Sequence, residues 1–421
     1  MLLSLKINNC LIYNSEVEFS MRANMHYKRF PNNVVKSAGV NALKTAVLIG
    51  PNNSGKTNFV RIISALKGLM LGKGAMLRGN LFSDNPIVEV SVSFLEGDTE
   101  NLFEVKYDVS KSEYVYERFA TIGRDEYKNV KATDLLLRDS LTKKYHSDDE
   151  GLVPAMKVAA RNNILIYLID TDEFPHLKKI KETMVAFASR IDVVDMNNIP
   201  INKTIDMLKA SEEEHQQIAN FVMNADLYLD DYRYLNDREF KTILKPQDIA
   251  GAKPQENALS TSAPLMEMLH LASVYRGVTV PSMLFDSTGT KKMAALASYV
   301  IEALEYGRIL VIDELDNSLH FRLTRAVIAL FNNELNSNAQ LIATVHDVSL
   351  LDCQTLFRKE QIWFTHKDRE NAYLYSLAEF TAEKTGVRDT SDLIEKYRKG
   401  VFGALPEPDL FQSLMEVKHR D

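Results

Sequence analysis

Gly50-Pro51-Asn52-Asn53-Ser54-Gly55-Lys56-Thr57 satisfies the pattern G-x-x-x-x-G-K-[ST] at every position. Ahead of it runs Ala46-Val47-Leu48-Ile49, which reads as a buried strand. Behind it Phe59, Val60, Ile62, Ile63, Leu66, Leu69 and Met70 recur at helical spacing. Strand, glycine-rich loop and helix in that order make the match meaningful. Glycines let backbone N–H groups wrap phosphates, the helix N-terminus adds a positive dipole, Lys56 reaches the terminal phosphates, and the Thr57 hydroxyl can ligate Mg2+. The nucleotide-binding set is therefore Gly50, Pro51, Asn52, Asn53, Ser54, Gly55, Lys56, Thr57 and Asn58. A glycine-rich turn with a solvated lysine is the plainer alternative, and the flanking elements weigh against it.

The second informative stretch is Ile309-Leu310-Val311-Ile312-Asp313-Glu314. Four consecutive apolar residues read as a strand covered on both faces, and it ends in two carboxylates. Such a strand delivers Asp313 to Mg2+ and places Glu314 to polarise an attacking water. A helix beginning with acids would look similar in isolation, but a full phosphate loop in the same chain favours the catalytic reading.

Composition bounds the rest. The chain has 421 residues, 50 Lys and Arg against 57 Asp and Glu, a net charge of −7 and 45% hydrophobic residues, which excludes disorder and collagen-like repeats. Cys10 and Cys353 are too few for a disulfide framework and stand in no C-x-x-C or Cys/His cluster, so a reducing, cytoplasmic setting without a zinc site is expected. No apolar run approaches the ~18 residues of a spanning helix, and the N-terminus is broken by Lys6, Asn8 and Asn9 too early for a signal peptide; no membrane partner is expected. The acidic balance argues against a protein whose main task is coating nucleic acid, although a local basic groove is compatible with it.

Alternation over residues 1–21 predicts a hairpin of two short strands, and alternation over 87–120, with Glu96-Gly97-Asp98 as a turn, predicts antiparallel strands. Charge dominates 125–150. Residues 174–280 read as mostly amphipathic helix, with turns at Asn197-Asn198 and Lys253-Pro254. Strands return at 307–312 and 341–345 after a helix over 291–305. The expected fold class is α/β, with a P-loop core assembled from both ends of the chain. Residues 1–150 supply its first half with an antiparallel β-subdomain, 151–280 an inserted helical lobe, and 281–421 its second half and a short tail.

These motifs together resemble ABC-type ATPases of the SMC, RecF and OLD group. Asp286-Ser287-Thr288-Gly289-Thr290-Lys291-Lys292, standing before a helix and shortly before 309–312, resembles the S-x-G-T-[KR] signature of that group. The resemblance implies that the Ser287 hydroxyl and the Gly289 amide contact the γ-phosphate of ATP bound by another subunit, which requires a homo-oligomer. A Ser/Gly helix cap would leave the same residues. Leu315-Asp316-Asn317-Ser318-Leu319-His320 lies where the group has its D-loop, and Ile342-Ala343-Thr344-Val345-His346 ends like its switch-histidine strand. By that likeness Glu314, His346 and Lys56 are the catalytic residues, Thr57 and Asp313 the metal ligands, and ATP and Mg2+ the cofactors. The group's Q-loop glutamine is missing: residues 61–150 contain no Gln, which leaves either a substitute such as Asp84 or Asn85 or a site that holds Mg2+ and water without one.

More narrowly, the layout resembles AAA_15/OLD-like ATPases of bacterial anti-phage defence, of the AbiLii, RloA and PARIS type and related to the Septu ATPase. Ala225-Asp226-Leu227-Tyr228-Leu229 and a tail with Gln361-Ile362-Trp363-Phe364 and Lys396 to Pro406 carry that likeness. It implies abortive-infection function, a separate effector nuclease or toxin, and a phage trigger protein. Only about 75 residues follow His346, too few for a further α/β effector domain. A DNA-maintenance ATPase gripping duplex DNA is the competing reading, with Lys178, Lys179 and Lys181, Lys143 and Lys144, and Arg118, Arg124 and Lys128 as basic clusters; each is more commonly a solvated face. A transporter subunit is disfavoured by the N-terminal hairpin, the signature and the long insert.

Overall fold

A computed structural model describes residues 1–37, 39–74, 77–124, 130–225, 228–243, 267–369, 371–388 and 391–405. The chain divides into two compact units, one of Met1–Ser189 with Thr344–Asp421, the other of Arg190–Ala343. Each is α/β.

In the first unit, β1 (Leu2–Asn8) and β2 (Val17–Ser20) form the expected N-terminal hairpin. A second hairpin joins β3 (Val34–Ser37) to β4 (Val40–Leu43). The buried strand β5 (Thr45–Ile49) runs into the phosphate loop and helix α1 (Lys56–Met70). Beyond it, β6 (Ile87–Glu96), β7 (Thr99–Asp108) and β8 (Glu113–Arg124) are the predicted antiparallel strands. Two more follow in the charged stretch, β9 (Val130–Asp139) and β10 (Lys144–Ser147), completing a seven-stranded antiparallel sheet of order β10-β9-β8-β7-β6-β1-β2. The polarity of β10 suits the sheet edge, where charged side chains discourage pairing with other chains.

The second unit holds β11 (Ile191–Asp195), α4 (Asn202–Ala210), α5 (Glu212–Ala225), the meander β12 (Asp231–Tyr234), β13 (Leu271–Tyr275) and β14 (Val278–Pro281), and the helix Thr288–Tyr306. It ends with β15 (Ile309–Asp313), the helix Phe321–Asn332 and β16 (Gln340–Val345), whose last two residues pass into the first unit. β11 and β16 pair in parallel with β15 on its two sides. Ile205, Ile218, Val222, Tyr232, Leu271 and Ala294 form part of one buried cluster that packs α4 and α5 on the long helix. The C-terminal segment adds β17 (Ile362–Lys367), parallel to β5, and β18 (Ala372–Ser376), antiparallel to β17.

The boundaries expected at 150 and 280 differ from this division. Residues 151–189 contain α2 (Leu152–Val158) and α3 (Pro175–Ser189) but pack in the first unit, with Phe187 of α3 stacked on Phe94 of β6 at 4.1 Å. Within the expected helical lobe, β11 to β14 are strands. Ile191-Asp192-Val193-Val194-Asp195 is too short for its period to separate strand from helix, and its ladder partner Ile309–Asp313 is distant in sequence. The turn expected at Lys253-Pro254 lies outside the described residues.

Burial in the first unit includes a charge pair. Arg138 of β9 and Glu117 of β8 stand 3.1 Å apart, 1% and 2% exposed. Arg138 also donates to the Ala160 and Asn163 carbonyls, while Glu117 accepts from the Leu165 amide. Burial pushes the Glu117 carboxyl up, opposed chiefly by the neighbouring guanidinium. Arg138→Met strands a buried carboxylate and should cost on the order of 3–5 kcal/mol of stability, with Glu117→Leu/Arg138→Met costing less than that single change, both read from urea unfolding.

Candidate functional site

The phosphate loop is a turn that only glycine-tolerant backbone can make. Asn53 (φ 61°) and Gly55 (φ 117°) take left-handed conformations, and Gly55 is the N-cap of α1. A Cβ on Gly55 would sit 2.9 Å from the Tyr13 hydroxyl, which is buried and donates to the Gly55 carbonyl at 3.1 Å. A Cβ on Gly50 would overlap the Thr365 carbonyl and hydroxyl, each at 2.3 Å. Ser54 Oγ bonds Thr365 Oγ1 at 2.6 Å and donates to the Pro51 carbonyl at 2.8 Å. The loop is thus gripped by β17 and by the turn after β1. Tyr13 and Thr365 had no sequence signal, because each acts through contacts distant in the chain.

Lys56 is 5% exposed, and its Nζ donates to the carbonyls of Gly50 (2.6 Å) and Pro51 (2.9 Å). Thr57 and Asn58 are half-buried on the first turn of α1. Gly50, Pro51, Asn52 and Ser54 border a cleft of 1110 Å³ that His346 also lines. His346 is exposed just after β16. Tyr397, Gly400 and Leu405 of the tail also line the cleft. The tail is held from beneath: Tyr397 Oη donates to the Ala404 carbonyl at 2.7 Å, and Phe402 stacks on Phe364 at 4.9 Å. Packing therefore accounts for the Tyr, Phe and Ala of that motif. Pro406 lies outside the described residues.

In the second unit, Asp313 ends β15 and is buried. Glu314 follows with a left-handed backbone (φ 57°), a conformation that costs a non-glycine residue about 1–3 kcal/mol. Its Oε2 accepts from Asn197 Nδ2 at 2.9 Å and from Asn317 Nδ2 at 3.1 Å. Asn317 is the D-loop-like asparagine. Asn197, in the loop after β11, was legible only as a turn residue.

Ser287 is the N-cap of the helix Thr288–Tyr306, its Oγ accepting from the Thr290 amide at 3.0 Å. Gly289 lies under Ser318, whose carbonyl would be 3.0 Å from an added Cβ. Lys292 Nζ ties the same helix to the Asn317 carbonyl at 3.2 Å. Ser287, Gly289, Ser318, His320 and Arg322 line a cleft of 800 Å³. His320 caps the next helix, accepting from the Arg322 amide at 3.3 Å. Of the Ala225 to Leu229 stretch, Asp226 and Leu227 lie outside the described residues.

Asn85 shapes the turn into β6, accepting from the Ile87 amide at 3.0 Å and, through its carbonyl, from Asn9 at 2.6 Å. Two of the basic clusters are engaged locally: Arg118 bridges Glu104 (3.0 Å) and Asp134 (2.7 Å), and Lys178 bonds Asp172 at 2.8 Å. Lys128 and the Arg124 side chain lie outside the described residues. Both cysteines are buried, and burial raises the Cys10 thiol to about 12.

Residues 46–352 match a family model described as "AAA domain, putative AbiEii toxin, Type IV TA system" (AAA_21). The chain belongs to this family. Among solved structures it is similar to an SMC head bound to the C-winged-helix domain of ScpA, at 14% identity over 91% of this chain and 99% of that one, with a TM-score of 0.47. It is also similar to the SMC head domain from Thermotoga maritima (13%, 89% and 98%, 0.43). A Pyrococcus furiosus Smc head with an extended coiled coil, bound to the C-terminal domain of ScpA, is a third (11%, 94% and 99%, 0.44). No curated protein matches. Among the described residues of this AAA-type protein, no helix is long and apolar enough to cross a membrane.

The close approach at Gly50 has a measurable consequence. Gly50→Ala forces β5 and β17 apart and should cost about 1–3 kcal/mol, read as a lowered Tm. Adding Thr365→Ala should not restore it, because the clashing backbone carbonyl remains.

Proposed function

We propose that this protein is a cytoplasmic regulatory ATPase of an anti-phage, abortive-infection system. It binds ATP, assembles as a homo-oligomer through composite sites, and controls a separate effector nuclease or toxin in response to a phage trigger protein. The observation that carries the hydrolytic reading is Glu314, a carboxylate in a strained turn immediately after the buried Asp313, oriented by two carboxamides. The family description, a putative toxin of a type IV TA system, supports the defence reading.

The chain's own groups fit a nucleoside triphosphate. The left-handed residues Asn53 and Gly55 make a concave turn before the N-terminus of α1, the geometry that collects amides around an anion. Lys56 Nζ, held on two neutral carbonyls, transfers to a phosphate oxygen because hydrogen bonds to a full negative charge are roughly twice as strong. Mg2+, when bound, neutralises charge on the phosphates, and the Thr57 hydroxyl and Asp313 carboxylate are the oxygen ligands offered. Glu314 orients the attacking water and takes its proton. His346 donates to the γ-phosphate from the edge of the cleft. Ser287 and Gly289, at a helix N-terminus, receive the γ-phosphate held by a second copy. That contact exists only in the closed assembly, so ATP shifts the population toward it.

Lys56→Ala is expected to abolish nucleotide binding in an equilibrium titration. Glu314→Gln should keep binding while lowering phosphate release by about 100-fold or more; normal turnover in that variant removes Glu314 from the role of base. Affinity capture of Glu314→Gln from its host with ATP and Mg2+ then tests the regulatory half. A stoichiometric nuclease or toxin partner is the expected result, and DNA with no protein partner would replace it with the maintenance reading.

A further inference from the structure

Asn197 lies in the loop just after β11, whose last residue Asp195 pairs with Asp313, the residue before Glu314. Its four polar contacts settle its orientation. Nδ2 faces two carboxylate oxygens, Glu314 Oε2 at 2.9 Å and Asp195 Oδ1 at 3.1 Å, and so must be the donor end. Oδ1 accepts from Asn317 Nδ2 at 2.7 Å, and the backbone amide donates to Asp195 Oδ1 at 2.8 Å. Asn317 Nδ2 serves both Asn197 Oδ1 and Glu314 Oε2, closing a three-membered ring of contacts. Glu314 and Asn317 belong to one turn, with the Asn317 amide donating to the Glu314 carbonyl at 2.8 Å. Asn197 is the member that comes from a separate loop, the one after β11.

We propose that Asn197 is a positioning residue for Glu314. Its carboxamide, braced by Asp195 and Asn317, fixes the direction of the Glu314 carboxylate in a backbone conformation that a glutamate does not otherwise favour. This rests on the hydrolytic reading of Glu314 proposed above. A carboxylate with one oxygen held on two donors has its other oxygen directed, which is the requirement for presenting a lone pair to a water. Because Asn317 is also tied to the helix Thr288–Tyr306 through its carbonyl and Lys292, displacement of that helix N-terminus reaches Glu314 through Asn317, with Asn197 as the fixed anchor.

The test is a double-mutant cycle in the full chain, with kcat, KM and ATP affinity measured for wild type, Asn197→Ala, Glu314→Gln and the double variant. Asn197→Ala should lower kcat by about 10- to 100-fold with KM and affinity unchanged. In the Glu314→Gln background it should have no further effect, since it acts through that carboxylate. An unchanged kcat, an equal loss in both backgrounds, or a loss confined to ATP affinity would each overturn the assignment. A crystal structure of Asn197→Ala supplies a second readout that needs no turnover. A Glu314 carboxylate rotated from its present direction supports the proposal, and one left in its present direction overturns it. A wild type that binds ATP but does not hydrolyse it would sink the hydrolytic reading, and the crystal structure would still decide the positioning.

Discussion

The absence of a side chain at Gly50 is the constraint on which the glycine-rich loop, the proposed nucleotide site, depends. With Cβ excluded, the carbonyl and hydroxyl of Thr365 come against the first residue of the loop, and Ser54 Oγ reaches Thr365 Oγ1 at 2.6 Å. β17 lies beside β5, pairing in parallel over Ile362–Phe364. At the loop's other end Tyr13, fully buried, holds the Gly55 carbonyl, while Gly55 supplies the left-handed residue that starts α1. Phe19 packs on Phe59 and Trp363 at 4.9 Å each, linking β2, α1 and β17 beneath the loop. A phosphate cradle is useful only if its amides are preorganised, and this packing is what would hold those of the proposed cradle in place.

A similar economy governs the acidic turn. Glu314 and Ser318 both have positive φ, and two such residues within five positions persist only where surrounding contacts over-determine them. The contacts are present: two carboxamides on Glu314, Lys292 on the Asn317 carbonyl, and the close approach of Gly289 to the Ser318 carbonyl. Ser287 has both a structural and a proposed ligand role. As N-cap it satisfies the Thr290 amide, and its exposed position at the helix start faces the second cleft.

The elements that read most directly from the residues were those buried on both faces. Ala46–Ile49 and Ile309–Ile312 are continuous apolar runs because parallel strands are covered on both sides, and each ends in the polar residues of a site. The N-terminal hairpin and β6 to β8 followed from strict alternation. The edge strand β10 and its neighbour β9 did not, since Lys131, Asp134, Arg138, Asp139 and Lys144 hide their period. β11 escaped because five residues between two helices carry little periodic signal, and its register is set by Ile309–Asp313 far along the chain. Asn197 was invisible for the same reason: an asparagine in a turn looks the same whether it caps a loop or reaches a carboxylate 117 positions away.

The central claim is that the phosphate loop of one copy and the Ser287 helix of another complete a single hydrolytic site. It is tested most directly by mixing two inactive chains, Lys56→Ala and Ser287→Arg, and following phosphate release from ATP. A mixed assembly contains one site with an intact loop facing an intact helix, so the account predicts that turnover absent from either variant alone returns on mixing and scales with the fraction of mixed assemblies. Turnover by Ser287→Arg alone at the wild-type rate, or none from a mixture in which mixed assemblies are demonstrated, would contradict it.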